Sequence, residues 1–246
     1  MTGAETATTP NPGADAEPEQ EQGAATMKTL RYRDAARASL AVVILALQPA
    51  VAGPAPTIGL PPAQTEGGAP LMQALQNRQS QRSFKPEPLP RQVLANLLWA
   101  AFGVNRPGTG KRTAPSAVNW QEIDIYAALP EGLYRYDAAG HRLELVLGED
   151  IRALAGRQGF TAAAPVVLIY VADFERMGRA RNEEKIFYSA VDTGFISQNV
   201  YLFAASEGLA TVVLGLVDRD RLGTKIGLRP NQKIILSQPV GRPADD

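Results

Sequence analysis

The sequence predicts an α+β fold. Apolar residues recur at helical spacing over 70–77 and 91–102, a hairpin pattern occupies the middle of the chain, and a long amphipathic helix separates two strand-like apolar runs. There is no internal repeat.

The first quarter reads differently from the rest. Residues 1–26 hold five acids (Glu5, Asp15, Glu17, Glu19, Glu21), no Lys or Arg and no aromatic. Such a stretch cannot bury enough apolar surface to offset its ordering entropy, so it is expected to be disordered. A second reading is that translation starts at Met27 and the leader is an over-extended start. From Met27 the order becomes basic (Lys28, Arg31, Arg33, Arg37), then apolar over Ala38–Leu47, then small at Ala50-Val51-Ala52. That order predicts a signal peptide over 27–52, cleaved near Ala52, and hence export to the periplasm. The apolar run has ten residues, whereas a membrane-spanning helix needs about 20, so no stable anchor is expected after cleavage. Arg31 and Arg33 are separated by Tyr32, so there is no twin-arginine pair.

Residues 53–69 are rich in Pro and Gly and predict an extended arm without helix or strand periodicity. A domain over 70–246 follows. Pro70–Asn77 predicts a short helix with Leu71, Met72 and Leu75 on one face. Pro90 suits a first helical turn, and Val93, Leu94, Leu97, Leu98, Ala101 and Phe102 continue that helix to Gly103. Glu122–Leu129 predicts a strand, and Gly132–Tyr136 with Arg142–Leu147 an antiparallel hairpin. Pro165–Ala172 is continuously apolar, as expected of a strand covered on both faces. Asn182–Gly208 predicts the longest helix, with Phe187, Val191, Phe195, Gln198, Leu202 and Ala205 on one stripe and Gly208 as its stop. Leu209–Val217, a short helix from Asp218 and Lys233–Val240 complete the chain.

Composition removes whole classes of function. The chain has no Cys and one His, His141, which excludes disulfides, iron–sulfur clusters, thiolate zinc sites and His-rich metal sites. Subtracting the four basic and six acidic residues of 1–52 from 25 of each leaves a net charge of about +2, so no nucleic-acid partner is expected. Asn105–Arg112 only brushes a phosphate loop, with Asn105 at its first Gly and Arg112 at its Ser or Thr. Neither a dinucleotide fingerprint nor a G-x-S-x-G elbow is present.

Four segments carry candidate chemistry. Arg78-Gln79-Ser80-Gln81-Arg82-Ser83-Phe84 places two cations around a hydroxyl, an arrangement that suits a phosphate and equally a solvated helix end. Ala114–Gln121 sets Ser, Asn, Gln and Trp in a loop before a strand, fitting a heteroaromatic ring or an Asx-type turn. Asp192-Thr193-Gly194 with Gln198-Asn199 puts amides on the apolar stripe, pointing to a helix or subunit interface or to satisfied core amides. Gly208–Gly215 is a strand ending in Gly, where backbone can approach a ligand or simply turn.

Taken in order, R-x-S-x-R-x-F, A-P-S-A-x-N-x-Q, D-x-G-x-x-x-Q-N, G-L-x-x-V-x-x-G and a final P-V-G-x-P resemble the nitroreductase family, and within it the branch containing azoline dehydrogenases of modified-peptide biosynthesis. The resemblance spans Pro70 to Pro243. It implies a mixed, mainly antiparallel sheet flanked by helices, in a homodimer that binds FMN in a cleft built by both subunits. It implies that Arg78, Gln79 and Ser80 hold the phosphate and ribityl end, and that Arg82 lies at the pyrimidine edge and tunes the ring. Pro115, Ser116 and Asn119 match the partner-subunit loop against the ring, Leu214 and Gly215 offer backbone donors, and Arg242 adds a phosphate contact. No protein acid or base is demanded, because the chemistry is the flavin's. The activity implied is transfer of hydride or electrons from a reduced donor, NAD(P)H docking transiently, to a small organic acceptor such as a nitroaromatic, quinone or heterocycle. The alternative is an exported, non-catalytic binding protein that keeps the fold.

Overall fold

The computed structural model describes residues 56–245. The leader expected over 1–26 and the signal peptide expected over 27–52 lie outside the described residues. Elements follow in chain order as β1 (Thr57–Gly59), α1 (Leu71–Asn77), α2 (Arg91–Phe102), β2 (Val104–Arg106), β3 (Lys111–Arg112), β4 (Ile123–Leu129), β5 (Gly132–Asp137), β6 (Arg142–Leu147), β7 (Val166–Asp173), α3 (Asn182–Glu207), β8 (Ala210–Thr211), α4 (Arg219–Lys225) and β9 (Gln232–Gly241). Seven strands form one sheet in the order β1-β6-β5-β4-β7-β9-β8, every neighbouring pair antiparallel. The α+β expectation holds, with helices on both faces of the sheet.

The centre of the sheet dictates this layering. All eight residues of β7 are buried. Successive side chains of a strand point to opposite faces, so Val166, Leu168, Tyr170 and Ala172 enter a core with α2 and α3, while Val167, Ile169 and Val171 enter a second core with Ile151, Ala155, Leu222 and Ile226. The second core is capped by α4, whose first turn is closed by the Asp218 side chain accepting from Arg221 N. A polar link runs through the first core: the Tyr170 hydroxyl donates to Gln238 Oε1 at 2.6 Å, and Gln238 Nε2 donates to Ser197 O of α3 at 3.4 Å. It ties β7, β9 and α3 together where water is excluded.

Helix α3 is the longest element, 26 residues or about 39 Å at 1.5 Å per residue. At its start Glu184 accepts the Arg181 N–H, and it stops at Gly208, whose φ of 65° is the left-handed conformation glycine adopts without strain. Its stripe of Phe187, Val191, Phe195, Gln198, Leu202 and Ala205 does not face the sheet. The buried face consists of Ser189, Asp192, Thr193, Ile196, Ser197, Val200 and Ala204, while Phe187 and Phe195 are 61% and 44% exposed. Of the two amides, Asn199 is satisfied within the chain, donating to Ala100 O of α2 at 3.1 Å, and Gln198 is exposed.

Two expectations need correction. The arm over 53–69 is not free of strand structure, because Thr57–Gly59 pairs with Arg142–Glu144 and closes the β6 edge. Its sequence, Thr-Ile-Gly among prolines, shows no alternation because an edge strand this short needs only backbone partners. The remainder of the arm straps α2 and α3: Gln92 Nε2 donates to Pro62 O, and Ala69 N–H to Ser206 Oγ. Likewise Leu209–Val217 is not one strand. Only Ala210–Thr211 joins the sheet, with one further bridge at Leu214, because the chain turns away over Val213 to pack Leu214 and Val217 into the second core.

The buried polar link yields a prediction. Tyr170→Phe leaves Gln238 Oε1 buried without a donor, which should lower the unfolding free energy by about 1–3 kcal/mol in urea denaturation. A change within error would mean that water replaces the hydroxyl.

Candidate functional site

One end of the sheet gathers most of the predicted site residues. The segment after α1 runs alongside β8, with Gln81 N–H donating to Thr211 O at 3.0 Å. Further on, Phe84 bridges Pro243, Lys85 N–H donates to Arg242 O and Ala244 N–H to Ser83 O. Arg78, Gln79, Ser80, Arg82 and Arg242 therefore sit on two strands of chain that flank β8 and the end of β9. The organiser of this corner is Tyr201 of α3. Its hydroxyl lies 2.9 Å from Ser80 Oγ and accepts the Val213 N–H at 2.9 Å, while the Arg78 guanidinium stacks over its ring at 5.2 Å. Sequence reasoning passed over Tyr201; the only signal was an aromatic on α3 just beyond the Gln-Asn pair.

The donor set at this corner suits an anion next to a polar ring. Among the described residues no carboxylate lies within ion-pairing distance of Arg78, Arg82 or Arg242. Arg82 and Arg242 are exposed. Leu214 does not offer a free donor, since its N–H is committed to Ser237 O at 2.8 Å and its side chain is buried. Gly215 is exposed, and its N–H has no protein acceptor among the described residues. A phosphate and a heterocycle rich in acceptors would match these guanidinium groups and this free amide.

Pro115, Ser116 and Asn119 are elsewhere. Their loop precedes β4 and rests on α3 through Asp192, whose Oδ2 accepts the Ala117 N–H at 2.9 Å. Asp192 and Tyr201 are nine positions apart on α3, about 14 Å along its axis. One chain thus holds two separated halves of the predicted site. Pro115 and Asn119 are exposed, whereas the Ser116 hydroxyl is used internally, accepting from Gln121 N and donating to Glu122 Oε2. The Asn119 Oδ1 accepts from Gln121 Nε2.

Beneath this loop Asp192, marked in the sequence with Thr193 and Gly194, meets Glu122, which was not marked as a site residue. Glu122 and Asp192 are both buried. Burial, reinforced by the facing Asp192 carboxylate, pushes the Glu122 carboxyl up to about 7. The available signal was an acid, Glu122, at the head of a strand in which Ile123 and Ile125 are apolar. The loop also borders a cleft of about 470 Å³ lined by Arg112, Trp120, Gln121, Asp124, Tyr136 and Arg176 among others. Arg112 stacks on Phe102 there and donates to Gln121 Oε1 at 2.7 Å, and its partial burial lowers its basicity. The 105–112 segment is a β2–β3 hairpin with no helix behind it, so it lacks the architecture of a phosphate loop.

Comparison with known proteins places these features in a common frame. Residues 75–242 match the model of the nitroreductase family. A crystal structure of a nitroreductase-type protein from Ralstonia eutropha is 42% identical and superposes with a TM-score of 0.75, covering 78% of this chain and 94% of that one. A nitroreductase-type protein of Methanocaldococcus jannaschii is 34% identical over 182 residues, 70% of this chain and 90% of the relative. The FMN reductase [NAD(P)H] of Bacillus subtilis is 25% identical over 159 residues, 60% of this chain and 54% of that protein.

Tyr201→Phe tests the organisation of the corner. Losing the hydroxyl removes the acceptor for Val213 N–H and the partner of Ser80, so the Val213 amide should exchange with solvent faster by about tenfold, corresponding to a hydrogen bond worth about 1 kcal/mol or slightly more. Unchanged protection at Val213 would show that the hydroxyl does not hold this strand end.

Proposed function

This chain belongs to the nitroreductase family and is a flavin-dependent oxidoreductase, and from that premise we propose that it binds FMN at the corner organised by Tyr201. The supporting observation is the set of three arginines, Arg78, Arg82 and Arg242, without carboxylate partners among the described residues, together with a Gly215 N–H that has no acceptor among them. Arg78, Gln79, Ser80 and Arg242 hold the phosphate and ribityl end. Arg82 faces the pyrimidine edge, and Gly215 donates to the ring. When bound, FMN supplies the hydride and electron transfer, and the protein binds, orients and tunes it. The guanidinium of Arg82 favours negative charge on the ring, while contacts to the phosphate anchor without changing reactivity. The donor we propose is NAD(P)H, in keeping with the FMN reductase [NAD(P)H] of Bacillus subtilis. The acceptor is a small organic molecule of the nitroaromatic, quinone or heterocycle type.

The second half of the site comes from a partner copy in our reading. Pro115, Ser116 and Asn119 belong to a loop seated on α3 about 14 Å along its axis from Tyr201, so within one chain the loop and the arginine corner stand apart. The outward stripe of α3, with Ile186, Phe187 and Phe195 exposed, and α1 with Leu71 and Met72 exposed, provides the apolar surface a homodimer would cover. Export through the signal sequence at 27–52 completes the proposal and rests on the sequence alone.

Purified protein should be yellow and release one flavin per chain on denaturation. A colourless protein that cannot be reconstituted with FMN would falsify the assignment. Phe195→Glu, which places a charge on the exposed stripe, should shift sedimentation from dimer to monomer at micromolar concentration; a wild type that sediments as a monomer with FMN bound removes the shared site.

The arginines separate anchoring from tuning. Arg82→Ala removes a charge-assisted contact worth about 1.5–3 kcal/mol in the reduced state, and about 30 mV corresponds to 1.4 kcal/mol for two electrons. The midpoint of bound FMN should therefore fall by about 30–60 mV. Arg78→Ala should instead weaken FMN binding with the potential held. An unchanged potential in Arg82→Ala would make that residue a solvated cation only.

A further inference from the structure

The loop that carries Pro115, Ser116 and Asn119 is held in an unfavourable backbone conformation. Val118, Asn119 and Gln121 have φ of 52°, 59° and 49°, in the left-handed region that a β-branched residue such as Val strongly avoids. Something outside the loop must hold it there. Arg112 and Arg176 hold its end at Gln121, and its start is held by two buried carboxyl groups. Asp192 Oδ2 accepts the Ala117 N–H at 2.9 Å. Glu122 Oε2 accepts the Ser116 hydroxyl at 3.2 Å, and the same hydroxyl oxygen accepts the Gln121 N–H at 2.8 Å. Both clamps therefore end on the one carboxyl pair.

That pair has no counter-charge. Among the described residues, no cation lies within ion-pairing distance of Glu122 or Asp192. Arg176, which reaches the loop at Gln121 O, is committed to Asp124. On the adjoining strand Asp173, whose N–H donates to Glu122 O, is committed to Arg229 and Arg176. Burial and Asp192 raise the proton affinity of Glu122, and a backbone hydrogen bond and the Ser116 hydroxyl oppose them. Two carboxylates facing each other out of water cannot both ionise without strong repulsion. Moreover, Glu122 Oε1 is buried without a hydrogen-bond partner. A proton on Glu122 removes both problems, turning two acceptors into a donor and an acceptor.

We propose that Glu122 keeps its proton beside Asp192 and that this carboxyl pair clamps the 115–121 loop, making both of them positioning residues for the flavin site. The inference rests on the reading of that loop as a flavin contact. The direction of the pH effect follows from Glu122 being raised to about 7. Below that pH the proton is in place and the loop is held. Above it, the second negative charge repels Asp192, the clamp weakens and the loop relaxes. The unfolded chain releases the same proton in the ordinary carboxylate range, so stability is greatest below that range and falls as pH rises through about 7.

The test compares wild type, Glu122→Gln and Asp192→Asn at about pH 5.5 and about pH 8.5. A glutamine at 122 can donate to Asp192 and still accept from Ser116, so it mimics the protonated state. FMN affinity, read by quenching of flavin fluorescence, should weaken about tenfold in wild type across this range and stay at the low-pH value in Glu122→Gln. Infrared spectra should show a protonated carboxylic acid at the lower pH that is lost at the higher pH and absent from Glu122→Gln. Amide exchange at Ala117 and Gln121 should accelerate at the higher pH in wild type only. If Glu122→Gln follows the wild-type pH dependence, or no protonated carboxyl is seen, the retained proton on Glu122 is refuted. If neither protein binds FMN at any pH, the flavin reading fails, and the infrared band with amide exchange still decides whether the proton clamp exists.

Discussion

A strand with no face left for water sets the terms for the whole domain. Every residue of β7 from Val166 to Asp173 is buried, so the apolar side chains on each of its faces must find a covering layer. On one side α2 and α3 provide it, and on the other α4 with the short turns around Ile151 and Ala155. The apolar side chains repay the ordering of these layers at about 25 cal/mol per Å² of buried area. The antiparallel neighbours β4 and β9 satisfy the backbone of β7 along its length, leaving the Tyr170–Gln238 link as the main polar side-chain feature of the interior there.

Helix α3 inverts the usual expectation for an amphipathic helix. Its inward face mixes Ile196, Val200 and Ala204 with Ser189, Asp192, Thr193 and Ser197, and its richest apolar stripe points outward. Burying a polar group costs free energy unless it is hydrogen-bonded. Ser189 and Ser197 meet that demand by bonding back to helix carbonyls, Asp192 by holding the Ala117 amide. The outward stripe is then free for another surface. One helix thus links the sheet, the 115–121 loop and the arginine corner, and its length is what separates the last two.

The arginine corner and the carboxyl pair illustrate opposite uses of charge. At the corner, the cations have no carboxylate partners among the described residues, an arrangement that suits an incoming anion. Under the loop, the acids have no cation partners among the described residues and sit in a closed space, which favours a retained proton on Glu122. The first arrangement suits a ligand; the second suits a fixed geometry. Neither depends on the single His141, which is occupied between the Tyr136 hydroxyl and Pro61 O as part of the strap that closes the β6 edge.

The periodic elements were legible from residues alone. Helical spacing over 91–102 and 182–208, the 132–147 hairpin and the continuous apolar run at 165–172 all correspond to observed elements, because each depends on local backbone geometry and on which faces are apolar. The positions of Arg78 and Arg82 could also be picked out, since charge and spacing are properties of the sequence. Tertiary structure decided the rest. Thr57–Gly59 became a strand only because β6 offered an open edge. Leu214 lost its free N–H only because Ser237 lay opposite. Periodicity defined the stripe on α3 but not its direction, which depends on what the sheet could accept. Glu122 and Asp192 are 70 positions apart, and no local pattern signals that two acids will be buried face to face. The raised proton affinity of Glu122 belongs to the enclosure, which exists only once the chain has folded.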